Sequence, residues 1–158
     1  MNTNIEVVKQ EIGMTDKDPW ANIKGGKPRV GDVAEGSMTL TPEKTKAFAD
    51  ISGDHNPLHF DEEAAKRSIF GERIGHGAMM IGAINGVMVQ KIPGPGAVMM
   101  HADWRFSNPV RVGEEITARV EVLEVRDDKP ICKVRTSVIR SDGVICLEGD
   151  ILTYVSPV

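Results

Sequence analysis

The segment from His76 to Lys91 constrains the fold more than any other part of the chain. Met79, Met80, Ala83, Ile84, Val87 and Met88 recur at helical spacing, and that period predicts one continuous α-helix. The opposite face is also poor in charge, with Ala78, Ile81, Gly82, Asn85, Gly86 and Val89. A helix that is apolar nearly all round is expected to be buried. Its glycines would each weaken a solvated helix by up to about 1 kcal/mol. The expectation is therefore that another backbone packs tightly against Gly82 and Gly86. Pro93, Gly94, Pro95 and Gly96 stop the helix.

A buried helix needs a layer to cover it, and the sequence beyond it changes period from 3.6 to 2. Val98, Met100, Ala102, Trp104 and Phe106 alternate with Met99, His101, Asp103, Arg105 and Ser107, which predicts a half-buried strand. Ile116–Val125, Ile131–Ile139 and Val144–Val155 read as three more strands. Asp127-Asp128-Lys129-Pro130 and Ser141-Asp142-Gly143 carry the turn chemistry that joins them. Upstream, Val30–Leu40 holds a short strand. Thr41-Pro42-Glu43-Lys44 is a helix start, with a Thr cap, Pro at the first position and an acid in the first turn. That helix runs through Phe48 and Ala49 and breaks near Gly53, and Asp61 caps a second short helix ending at Arg67. The pattern is α+β, an antiparallel sheet wrapped around a long central helix. Residues 29–158 form this single domain. Residues 1–28 are polar, are broken by Gly13, Pro19, Gly25, Gly26 and Pro28, and read as an N-terminal arm.

Composition narrows the function classes. The chain's 158 residues suffice for a full core without staples. A net charge of −4 argues against sequence-independent nucleic-acid binding. No apolar run reaches the roughly eighteen residues of a spanning helix. Glu11, Asp16 and Asp18 make a secretory signal a poor reading of the N-terminus, so a cytoplasmic protein is expected. Cys132 and Cys146 are the only cysteines. Without a CxxC pattern they read as small apolar strand residues, not as a disulfide or a zinc site.

The residues suited to chemistry gather in Ser52-Gly53-Asp54-His55-Asn56-Pro57-Leu58-His59. Local turn preference alone accounts for Asp, Asn, Gly and Pro. Two histidines beside an Asp add groups that move protons near neutral pH. Gly75-His76-Gly77 opens the central helix. The first N–H groups of a helix are unpaired and sit at its positive end, so they can hold a developing oxyanion. The plainer reading is an ordinary glycine-containing helix start with His76 packed. His55 and His59 stand four apart, but Pro57 lies between them and HExxH is absent, so no metal site is expected. GxxxxGK[ST], GxGxxG and GxSxG are absent as well. Met79, Met80, Met88, Met99 and Met100 are core residues or a flexible lining for an acyl chain.

The octapeptide Ser52–His59 resembles the signature of the MaoC-like, (R)-specific enoyl-CoA hydratases. Gly71-Glu72-Arg73-Ile74-Gly75-His76-Gly77 is similar to the family's approach to its central helix. Arg105-Phe106-Ser107-Asn108-Pro109-Val110, followed by Val112-Gly113-Glu114, is similar to its later strand and turn. The likeness spans roughly residues 30–155. It implies a hot-dog fold and a homodimer, or an assembly of dimers, with active sites near the subunit interface. It implies that Asp54 and His59 bind the catalytic water and that the Gly77 N–H polarises the thioester carbonyl. Asn56, His76, Met79, Met80 and Asn85 would lie on the substrate side, Asn85 standing where some members carry Ser. The implied reaction is reversible hydration of a trans-2-enoyl-CoA to an (R)-3-hydroxyacyl-CoA, by acid–base chemistry without a metal or a separate cofactor. Coenzyme A belongs to the substrate, and Arg73, Lys91, Arg105 and Lys129 are candidates for its phosphates. The alternatives are an acyl-carrier-protein thioester, a branched or dicarboxylic acyl-CoA, or an acyl-CoA-binding sensor or partner subunit. No nucleic-acid or membrane partner is expected.

Overall fold

The structure, a computed structural model, describes residues 18–158. Strand β1 (Val33–Thr39) is followed by helices α1 (Pro42–Ser52), α2 (Pro57–Phe60), α3 (Glu62–Arg67) and α4 (Gly77–Gln90). Strands β2 (Ala97–Phe106), β3 (Glu115–Val125), β4 (Ile131–Arg140) and β5 (Ile145–Val155) complete the domain. Local chemistry sets the helix ends. The Thr41 hydroxyl accepts the Lys44 N–H at 3.3 Å, and Pro42 fills the first helical position. Gly53 closes α1 at φ 77°, a left-handed geometry that glycine adopts without a Cβ clash. The Asp61 carboxylate accepts the N–H groups of Glu63 at 2.9 Å and Ala64 at 3.0 Å, opening α3.

The strands form one sheet in the order β1-β3-β4-β5-β2, antiparallel throughout. Helix α4 lies across it, against β3 and β1 and also β4 and β2. Met79, Met80, Ile84, Val87 and Met88 face the sheet and share a core with Ile116, Val120, Val134, Val138, Leu147 and Ile151. Each such side chain removed from water stabilises the fold by about 1.5–3 kcal/mol. The expected α+β architecture is thus present, with the long helix held in the curve of the sheet.

Three features depart from or add to the sequence reading. Helix α4 is not buried all round. Ala78, Gly82, Asn85 and Val89 form an exposed stripe, and a Cβ built on Gly82 or Gly86 meets nothing within 4 Å. The tight backbone contact expected at these glycines is not supplied by the described residues. Strand β2 does not alternate evenly, because its register against β5 slips between Met99 and His101. One extra residue exchanges the two faces of a strand. Val98 and Met100 therefore point outward, 53% and 54% exposed, whereas Met99, Ala102 and Trp104 pack on the core. The third feature concerns the expected arm, of which residues up to 17 lie outside the described part. Beyond them, Trp20 and Ile23 are buried in the core, and the Trp20 indole N–H donates to the Arg126 carbonyl at 2.8 Å. Cys132 and Cys146 are free and buried. Among the described residues no helix is long and apolar enough to cross a membrane.

Candidate active site

The site begins where α1 ends. Past Gly53, the Ser52 hydroxyl accepts the Asp54 N–H at 3.2 Å, and one Asp54 carboxylate oxygen accepts the Asn56 N–H at 3.2 Å. The Asn56 side chain then accepts the Leu58 N–H at 3.1 Å, with Pro57 at the first position of α2. Pro57 blocks a helix running through the octapeptide and begins one instead, because the first helical residue needs no N–H donor. One turn on, this places the imidazole of His59 beneath the loop, where it is only 7% exposed.

The hydrogen bonds assign the state of that ring. His59 Nδ1 lies 2.8 Å from the Ile74 carbonyl oxygen. A carbonyl only accepts, so Nδ1 carries a proton, and in the neutral ring it is Nε2 that presents the lone pair. Nε2 stands 3.8 Å from Asp54 Oδ2, too far for a direct hydrogen bond and within the span that one water bridges. The Asp54 side chain is 50% exposed, so the carboxylate is half in solvent while its imidazole neighbour is not.

The second half of the site is the start of α4. The Gly75 N–H donates to the Val110 carbonyl at 2.7 Å, and a Cβ there would overlap Leu40 Cδ2. This close approach threads the strap between β1 and the segment before β3. His76 follows as the residue capping α4, 2% exposed, its ring 3.7 Å from that of His59 and 4.9 Å from that of Phe48. Its Nε2 lies 2.8 Å from the Asp54 carbonyl oxygen. Gly77 is the first residue of α4, and a Cβ on it would come within 3.2 Å of the Phe106 ring. Beside it opens a cavity of about 250 Å³ lined by Phe70, Ile74, Gly77, Met80, Phe106 and Pro109, among others.

The fold thus brings Asp54, His59, His76 and Gly77 to one place from the two motifs the sequence singled out. Met80 lines the cavity with Gly77, while Asp54, His59 and His76 are not part of its lining, and Met79 packs in the core. The Asn56 amide oxygen is engaged in capping α2, and its side chain is exposed. Asn85 lies two turns along α4, on the exposed stripe with Gly82. Of the candidate cations, Arg73 pairs with Glu62 at 3.1 Å and Lys91 donates to the Glu35 carbonyl. Lys129 lies in a separate groove with Met100 and Arg126, and Arg105 is exposed on β2. His55 is exposed and stands apart from the cluster. The ligand atoms of Asp54, His59 and His76 lie within 4.8 Å of one another, so this trio is where a metal ion would fit among the described residues. The sequence reading missed the Ile74 carbonyl and the Phe48 ring. A main-chain acceptor carries no sequence signal, and Phe48 looks like any apolar position on α1.

Comparison with known proteins meets the geometry here. Residues 27–144 match the MaoC like domain. The chain belongs to the MaoC-like family. Within it, the (R)-specific enoyl-CoA hydratase of Aeromonas caviae is 36% identical over 121 residues, covering 77% of this chain and 90% of that protein. The 3-hydroxybutyryl-CoA dehydratase of Methylorubrum extorquens is 38% identical over 108 residues, covering 68% of each. The solved structure of the (R)-hydratase from A. caviae aligns with a TM-score of 0.78 at 33% identity, covering 82% of this chain and 98% of that one. The helix-in-sheet architecture of this MaoC-like domain is the hot-dog fold that the sequence resemblance implied.

Proposed function

We propose that this MaoC-like protein is a hydratase that reversibly adds water to a trans-2-enoyl-CoA, giving an (R)-3-hydroxyacyl-CoA. The observation that carries the reading is the gap between Asp54 Oδ2 and His59 Nε2, 3.8 Å wide, at the mouth of α4. With the His59 ring neutral and Asp54 ionised, both groups accept hydrogen bonds. A water between them donates one hydrogen to each and turns its oxygen lone pair outward, toward C3 of the substrate. The pair takes the water's proton as the C3–O bond forms and returns a proton to C2, so that H and OH are added in sum. Charge that builds on the thioester oxygen meets the Gly77 N–H at the positive end of a 14-residue helix. In this reading no metal and no separate cofactor take part, and coenzyme A enters only as the substrate's carrier.

The same reading places a second copy of the chain against α4. Its exposed stripe is uncharged and mostly small, and Gly82 and Gly86 leave open space for a neighbouring backbone. Strand β2 forms one edge of the sheet, and an edge strand invites pairing with another chain. A homodimer, or an assembly of dimers, would cover both, and Asn85 would then lie at the interface near the acyl chain. The test is direct. Purified protein mixed with crotonyl-CoA should bleach the enoyl-thioester absorbance, and the 3-hydroxybutyryl product should be the R enantiomer. An unchanged absorbance with crotonyl-CoA, longer enoyl-CoAs and enoyl-carrier-protein alike would reject the reading.

A further inference from the structure

The buried ring of His76 faces the site without being needed by the chemistry just described. It is 2% exposed, makes no side-chain bond to the helix it caps, and has one nitrogen, Nδ1, with no hydrogen-bond partner. A buried polar side chain on a helix start would ordinarily be replaced by an apolar one or used as a cap. Here its other nitrogen holds something specific. Nε2 lies 2.8 Å from the Asp54 main-chain oxygen, which only accepts, so Nε2 carries a proton and donates it there. The ring packs on that of His59, centroids 3.7 Å apart and tilted by 36°, and also against Phe48. Its Nε2 is 3.9 Å from Asp54 Oδ2, so the ring stays out of direct hydrogen bonding with the carboxylate.

We propose that His76 is a positioning residue that sets the Asp54–His59 spacing, through its Nε2–H bond to the Asp54 carbonyl and its stacking on the His59 ring. The inference rests on the hydratase reading. The Asp54 carboxylate sits on a half-exposed loop whose other hydrogen bonds, such as those with Ser52 and Asn56 and from the His55 N–H to the Gly53 carbonyl, are all short-range. The bond from His76 ties that loop to the start of α4, where the Gly77 N–H is fixed. One side chain thus couples the water-holding pair to the oxyanion donor. Misplacement of a reacting group by about 1 Å can cost on the order of 100-fold in rate, so a residue that sets this spacing acts on turnover more than on binding.

The test compares three substitutions with the wild type in the crotonyl-CoA assay. His76→Phe keeps an aromatic ring over His59 and removes the donor. His76→Gln restores an N–H at the reach of Nε2, and His76→Asn puts an amide only as far as Nδ1. The expected result is a kcat about 10- to 100-fold lower for Phe and Asn, with KM within about threefold and Gln recovering most of the loss. The stacking alone is insufficient if Phe and Asn are slow and Gln is not, which is the outcome that supports the proposal. Full turnover in His76→Phe, or equal losses in Phe, Asn and Gln, would overturn it. Asp54→Asn runs alongside to separate the two readings. An inactive Asp54→Asn beside a fully active His76→Phe removes the positioning role alone. An Asp54→Asn as active as wild type removes the hydratase site and the positioning role together.

Discussion

Four glycines lie on or just before the same helix, and they face opposite surroundings. Gly75 and Gly77, where α4 starts, would press an added Cβ into Leu40 and the Phe106 ring. Gly82 and Gly86, one and two turns further, would press theirs into nothing within 4 Å. At the start the missing side chain makes room for neighbours inside the chain and for a ligand beside Gly77. Along the middle it leaves space that none of the described residues fills. The same residue type on one element therefore separates a closely packed helix start, beside the proposed chemistry, from an open stripe where the proposed second copy would pack.

The largest effect expected of that comparison lies at the start of α4. Asp54→Asn and His59→Ala should each lower kcat by about 10²- to 10⁴-fold, the usual contribution of an acid–base group, with the circular dichroism spectrum retained. His55→Ala should be much milder, and the reverse order would show that the wrong histidine was assigned. Gly77→Val comes next. The added side chain crowds the ligand and shifts the N–H, and since loss of one oxyanion donor costs about 10²- to 10³-fold, a fall in kcat of similar order is expected. The Phe106 ring is half exposed and free to swing aside, so the thermal midpoint should move less than turnover. Normal turnover in this variant would reduce Gly77 to a packing residue and erase the chemical half of the comparison.

Gly75→Ala sharpens the difference between two glycines two residues apart. Its Cβ has no space beside Leu40, which is fully buried, and overpacking of this kind typically costs about 1–3 kcal/mol. Denaturant titration should show that loss, and an unchanged midpoint would mean that the strap has slack. Gly82→Ala and Gly86→Ala should behave oppositely. Each gains up to about 1 kcal/mol of helix propensity in a chain with open space there. If a second copy packs on this stripe, light scattering should show the variants dissociating at concentrations where wild type remains dimeric. Identical association for all three proteins would break the assignment of the stripe to an interface.

The smallest effect should come from the outer face of the sheet, far from both regions. Burial raises the Asp150 pKa, but hydrogen bonds from Lys133 and Arg135 and their charges more than offset it, so the carboxyl titrates below its usual range. A depressed carboxyl contributes stability above its unfolded-state pKa and loses it as pH falls through the folded value. Asp150→Asn should flatten the acid limb of stability against pH by roughly 0.2–1 kcal/mol, the size of a surface pair. Chemical denaturation of both proteins between neutral and strongly acidic pH would measure it. An effect as large as that of Gly75→Ala would contradict the partly solvated geometry of the pair.

Much of this molecule is legible in its sequence, for reasons that are local. The Thr41 and Asp61 caps, the Gly53 stop and the 3.6-residue period of α4 depend on neighbours along the chain, and all appear where the residues place them. The octapeptide and the Gly75-His76-Gly77 motif likewise carry the groups that meet in the site. Other features depended on contacts that no short stretch encodes. The slip at Met100 exchanges the faces of β2 because of how it registers on β5, so Val98 and Met100 emerge outward. The open stripe on α4 is uncharged by sequence, and only the placement of the sheet on one side of the helix shows that the other side is left open by the described residues. The tautomer of His59 was decided by a main-chain oxygen at Ile74, and that of His76 by one at Asp54. Sequence determined which groups could do acid–base work. The tertiary structure decided which nitrogen holds the proton, because the deciding acceptors are backbone atoms that every residue type shares.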